Sequence, residues 1–166
     1  MSEPKVYTVA ITGCGKRGKV DADVFGKTPR FKVLGVNDID EARMDECAAL
    51  AGGAEKFADT AEMLKATNPD VYCFCTPPTI RLPLVKLAVE AGAKLIAYEK
   101  PMATNMTEAL AIRDLLRSAG VKSVQSHQRK YNIQFRKTKE IIDSGALGRI
   151  HRSEERRVGK ECRSRW

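Results

Sequence analysis

Short apolar runs alternate with longer helical patterns along almost the whole chain, and this alternation restricts the available folds more than any other feature of its 166 residues. YTVAIT (7–12), KVLGVN (32–37), DVYCFC (70–75), KLIAY (94–98) and KSVQS (122–126) have the length and the β-branched or aromatic content of strands. Helical patterns fill about 16–27, 41–51, 60–67, 80–91, 106–118 and 132–144. Asp59 with Glu62, and Asn105 with Glu108, are spaced as an N-cap and its N3 partner, while Gly52, Gly92 and Gly120 stand where helices end. The strands are almost continuously apolar, as strands buried on both faces must be. Together these patterns predict an α/β fold, a doubly wound parallel sheet with helices on both sides.

ITGCGKRGKV joins the first strand to the first helix, and Gly13, Gly15 and Gly18 satisfy G-x-G-x-x-G. In that setting the first glycine permits a tight turn, the second lets the backbone approach a pyrophosphate, and the third lets helix and strand pack closely. The helix start adds unpaired N–H groups and a partial positive charge. Asp38 ends the second strand 20 residues beyond Gly18, where a carboxylate binds an adenosine ribose diol and repels a 2′-phosphate. NAD is therefore the favoured cofactor. Lys16 and Arg17 pull the other way, because a basic loop can hold a further phosphate, so NADP stays open. GCGKRGK also fits the start of a P-loop, but the residue that should coordinate Mg²⁺ is Val20. Valine cannot do so, which argues against an ATPase or kinase.

Ligands of open α/β sheets bind at the carboxyl ends of the strands. Two such ends stand out, TPPT (76–79) and YEKP (98–101). Pro77 and Pro78 make a rigid, donor-poor ledge suited to a flat ring. Glu99 and Lys100 put a charged pair on the same rim, although a surface lysine paired with Glu99 is the simpler account of Lys100.

With these motifs assembled, the chain resembles the Gfo/Idh/MocA oxidoreductase family from about Val6 to Ile150. The resemblance runs through the glycine loop, the acidic second-strand end, TPP, AGAKLIAYEKP, HQRKYN and IDSGALGRI. It implies a Rossmann domain over residues 1–148 that binds NAD or NADP. It also implies a second, mostly antiparallel α/β substrate domain, of which 149–151 would be only the start. The implied activity is an NAD(P)-dependent oxidoreductase acting on CH–OH, moving hydride between nicotinamide and a sugar, polyol or related hydroxyl compound. Carried onto this sequence, Gly13, Gly15 and Gly18 hold the pyrophosphate and Asp38 the adenosine ribose. Thr76 and Pro77 lie along the nicotinamide half, and Glu99 contacts its ribose. Lys100 is the implied catalytic lysine, hydrogen-bonding the reacting oxygen, and the peptide bond before Pro101 is often cis.

The resemblance also has gaps. Arg81 stands where many members have His, Ser126 replaces a common Gly, Lys130 a common Arg and Ile133 a common Pro; these bear on substrate more than on cofactor. His127 is either a proton carrier or a histidine at the interdomain hinge. The family's general base, a His with an upstream Asp in the second domain, has no counterpart here. The chain alone is expected to bind cofactor weakly and not to turn over, and the intact parent to be a homo-oligomer. A non-catalytic dinucleotide-binding or sensor module is the alternative.

Cys73 and Cys75 fall on one face of a predicted strand, and with only His127 and His151 as histidines no metal array is evident. The five scattered cysteines read as small buried hydrophobes in a reducing compartment. The N-terminus lacks the features of a signal peptide, and no apolar run approaches the ~20 residues of a membrane span. A cytoplasmic protein with no membrane partner is expected. The final stretch, RSEERRVGKECRSRW (152–166), carries six of the 29 Lys/Arg and three of the 21 Asp/Glu. It has no helix or strand period and resembles translated sequencing adapter: AGA-TCG-GAA-GAG reads Arg-Ser-Glu-Glu, residues 152–155. Residues 152–166 are expected to be non-native. Without them 23 basic residues face 18 acidic ones, net +5, which is no strong signal for nucleic acid. A basic nucleic-acid-binding arm is the lesser alternative.

Overall fold

The computed structural model describes residues 4–151, so the expectation for 152–166 lies outside the described residues. The chain divides into two compact units after His127. In the first unit the elements run β1 (Tyr7–Thr12), α1 (Lys16–Lys27), β2 (Phe31–Asn37), α2 (Glu41–Leu50), β3 (Glu55–Phe57), α3 (Thr60–Thr67) and β4 (Val71–Phe74). They continue with α4 (Arg81–Glu90), β5 (Leu95–Glu99), α5 (Met106–Ser118) and β6 (Lys122–Ser126). The second unit holds a 3₁₀ turn (Gln128–Tyr131) and α6 (Ile133–Asp143).

All six strands are parallel, in the order β3-β2-β1-β4-β5-β6. This is the doubly wound sheet that the alternation predicts. The pleat sorts side chains between two cores. Val9, Ile11, Val71 and Cys73 meet Ala22 of α1 and Met44 and Cys47 of α2 on one face. Ala10, Tyr72, Phe74 and Ile96 meet Met63 of α3, Leu84 and Val85 of α4, and Ile112 and Leu116 of α5 on the other. Each buried aliphatic or aromatic side chain of this size contributes about 1.5–3 kcal/mol.

The structure differs from the sequence expectation at two places in this unit. EKF pairs with β2 as β3, a three-residue strand too short to show any alternation. A 3₁₀ turn at Pro78–Ile80 precedes α4; Pro77, held extended at ψ 149° by the proline that follows it, keeps the helix from starting earlier. The expected caps do form: Asp59 accepts from Glu62 N at 2.9 Å and Asn105 from Glu108 N at 2.9 Å. Asp40 and Asn132 cap α2 and α6 in the same way.

At the amino edge of the sheet, one carboxylate ties three strands. Asp70, before β4, accepts from Thr8 N and Thr8 Oγ1 of β1 and pairs with Lys94, before β5. The Lys94 ammonium, helped by the Thr8 N–H, holds the Asp70 carboxyl below the usual range. A depressed folded pKa contributes stability that is full above the unfolded value of about 4 and lost as pH falls through the folded one. Asp70→Asn should therefore lower the urea midpoint at neutral pH and converge on the parent in acid. Equal midpoints at neutral pH, or a difference that persists unchanged into acid, would remove Asp70 from this account.

Candidate cofactor-binding site

A cleft of about 430 Å³ opens at the carboxyl ends of β1, β2 and β4, where the strand order reverses. Gly13, Gly15, Asp38, Ile39, Thr76 and Pro77 are among its lining residues. Two backbone approaches shape it. Gly13 has φ +91°, and a Cβ there would meet the Cys75 carbonyl at 3.0 Å. A Cβ on Gly18 would lie 1.8 Å from Gly13 O, so the first turn of α1 can rest on the end of β1 only with glycine at this position.

Gly15 is different, because a Cβ there would project into open space. It caps α1 without a side-chain hydrogen bond, and the first turn carries no acid. The helices α2, α3, α5 and α6 have a capping carboxylate or amide, while α4, which continues from the 3₁₀ turn, has none. The N–H groups at the start of α1 have no side-chain cap and face the cleft end of β1, an arrangement that suits an anion. Asp38 borders it: Oδ2 accepts from Cys14 N at 2.6 Å and Oδ1 from Asp40 N at 3.0 Å. Each oxygen keeps a lone pair for a ribose hydroxyl. Thr76 Oγ1 is buried without a hydrogen-bond partner, and Pro77 is exposed on the rim. These features fit a dinucleotide.

Beneath the cleft lies a closed polar layer. Tyr72 Oη donates to Thr12 Oγ1 at 2.9 Å, Thr60 Oγ1 to Asn37 Oδ1 at 2.8 Å, and Asn37 Nδ2 to Phe57 O at 2.8 Å. Burial pushes the Tyr72 phenol pKa up, so it remains a neutral donor.

The remaining predicted site residues separate. Lys16 is exposed at the start of α1, and neither it nor Arg17 lines the cleft. Arg17 turns toward β5, pairing with Asp21 at 2.6 Å and Glu99 at 2.9 Å. Glu99 ends β5, followed by the exposed Lys100 and a cis peptide bond to Pro101. His127 is exposed at the end of the first unit.

Arg81, noted in the sequence only as a departure, is 1% exposed. Its guanidinium donates to the Glu99 carbonyl and, at 3.2 Å, to the Thr76 carbonyl. It therefore clamps the ends of β4 and β5, the two segments that carry TPPT and EKP. Burial pulls its pKa down, yet a guanidinium stays charged under all ordinary conditions. A visible signal was available: Arg81, Leu84, Val85 and Ala88 share one helical stripe, which placed a charge on an apolar face.

Residues 7–127 match the model of the Gfo/Idh/MocA oxidoreductase family, NAD-binding Rossmann fold. The chain belongs to this family. Among relatives of this Gfo/Idh/MocA chain, an inositol 2-dehydrogenase of Rhodococcus erythropolis is 32% identical over 151 residues, 90% of this chain and 43% of its own. A D-glucoside 3-dehydrogenase of Escherichia coli is 29% identical over 147 residues, 86% of this chain and 41% of its own. The fold is shared with scyllo-inositol dehydrogenase of Lactobacillus casei, solved with NAD(H) and scyllo-inositol. The TM-score is 0.79 at 22% identity, over 87% of this chain and 43% of that one. The chain thus spans about 43% of the length of relatives such as the inositol 2-dehydrogenase, and the matched part is the family's NAD-binding Rossmann domain.

Arg81→Met should cost about 2–4 kcal/mol in urea unfolding, because two partly buried carbonyls lose their charged donor. Arg81→Lys should recover only part of this, since an ammonium lacks the fork that reaches both oxygens. A Met variant as stable as the parent would show that the clamp carries no load.

Proposed function

We propose that this chain is the cofactor-binding portion of an NAD-dependent dehydrogenase that oxidises a hydroxyl of a polyol or sugar. The observation that carries the reading is the uncapped N-terminus of α1 opening on a cleft bordered by the Asp38 carboxylate. In this reading the N–H groups after Gly15 hold the pyrophosphate, and Asp38 accepts from the adenosine ribose. Thr76 and Pro77 lie against the nicotinamide half, and the buried, unpaired Thr76 Oγ1 offers a polar group there. The bound nicotinamide supplies the hydride acceptor. Lys100, exposed on the rim after β5, donates a hydrogen bond to the reacting oxygen and steadies charge on it. Glu99 accepts from the nicotinamide ribose while Arg17 fixes its carboxylate from the other side.

The carboxylate of Asp38 repels a 2′-phosphate, and Arg17 is already paired with Asp21 and Glu99, so NAD is preferred over NADP. The inositol and glucoside dehydrogenases among its relatives support a cyclic polyol or sugar as the parent's substrate. A base that takes the hydroxyl proton is assigned to chain beyond the described residues of this one.

Calorimetric titration of the 166-residue chain should show NAD⁺ binding more tightly than NADP⁺. Asp38→Ala should weaken NAD⁺ by about tenfold or more, the value of one charged hydrogen bond, and narrow the preference. Equal affinities for the two cofactors in the parent would overturn the assignment of Asp38. With NAD⁺ and myo-inositol the chain alone should produce no NADH absorbance; turnover would show that it contains its own base.

A further inference from the structure

We propose that Asp21, Cys73 and Cys75 form a binding site for one thiophilic divalent cation of the zinc or cadmium class beneath the glycine loop. Cys73 and Cys75 are two residues apart at the end of β4, so both side chains point toward α1. Asp21 of α1 meets them there. Cys75 Sγ lies 3.1 Å and Cys73 Sγ 3.9 Å from Asp21 Oδ2, and the three ligand atoms all fall within 4.8 Å of one another. A tetrahedral ion with zinc-like bond lengths to two thiolates and one carboxylate oxygen has ligand–ligand edges of about 3.6–3.8 Å. The distances of 3.1 to 4.8 Å bracket these edges, so the ion can enter with small side-chain adjustments. Among the described residues no other group of three His, Cys, Asp or Glu side chains is assembled in this way.

The cation offsets most of the charge. Two thiolates and Asp21 bring three negative charges and the cation two positive ones, while Arg17, 2.6 Å from Asp21, is shared with Glu99 at 2.9 Å, so these five groups with the ion are left one charge negative. The two thiol protons leave to solvent as the metal–sulfur bonds form. Before that, Cys73 and burial push the Cys75 thiol up, and burial pushes the Asp21 carboxyl up. The site resists holding uncompensated negative charge and accepts it with a cation. A cavity of about 140 Å³, lined in part by Asp21, Cys73, Glu99 and Ser126, gives a route in and room for a fourth ligand. The sequence expectation of no metal counted histidines as the missing ligands and overlooked Asp21, 52 residues from Cys73.

The test uses the full 166-residue chain with Cys162→Ser, reduced and titrated anaerobically with cadmium chloride. A thiolate-to-cadmium charge-transfer band should saturate at one ion per chain. Cys73→Ser or Cys75→Ser should weaken binding about 100-fold, and Asp21→Asn about tenfold. The Cys73→Ser/Cys75→Ser chain should lose the band although the buried Cys14 and Cys47 remain. Circular dichroism checks that each variant is folded; if a serine variant is not, Asp21→Asn decides. A missing or non-saturating band, a band that survives the double substitution, or an unchanged cadmium affinity in Asp21→Asn would overturn the proposal.

Discussion

The contact of Gly18 with the carbonyl of Gly13 is the constraint on which the functional end of the molecule depends. There is no room for a single carbon between them, so the first turn of α1 is seated directly on the end of β1. That seat aims the helix N–H groups into the cleft. It also sends Arg17 toward Glu99 at the end of β5 and lays Asp21 against the cysteines of β4. One backbone contact thereby organises the uncapped helix start, the charge pair beside EKP and the thiol cluster.

The two edges of the sheet use polar groups differently. At the amino edge Thr8, Asp70 and Lys94 bind one another and tie β1, β4 and β5 together. At the carboxyl edge Thr12, Asn37, Thr60 and Tyr72 satisfy each other below the cleft, while Thr76 and the start of α1 above them keep unused capacity. A buried polar group without a partner is costly in a folded protein, which sets Thr76 Oγ1 apart from the satisfied layer below it. Arg81 spends its charge on holding that edge in shape from below.

Much of this architecture was legible in the chain, for local reasons. The runs at 7–12 and 122–126 coincide with β1 and β6, and the spacing of Asp59 and Asn105 to their N3 partners reported the helix starts. Gly13, Gly15, Asp38, Thr76 and Pro77, singled out separately, line one cleft. The parts that escaped notice were short or distant. Three residues of β3 carry no periodicity. The partnerships of Arg81 with Glu99 and of Asp21 with Cys75 join elements that no spacing rule connects. Arg17 shows the same limit, since its basic character suggested a phosphate while its pairing with two carboxylates could not be read from its position.

The strand order also governs how such a chain must assemble in time. β1 is synthesised early yet lies between β2 and β4, and its bonds to Asp70 span 62 residues. Until β4 has left the ribosome, one edge of β1 has no ladder partner, and the apolar residues beside it are only half covered. Closing that long loop costs entropy before the new contacts offset it, a cost that local pairings such as β1 with β2 largely avoid. The nascent chain therefore passes through a stage with an open sheet edge, the form in which parallel α/β proteins are most exposed to aggregation and chaperones.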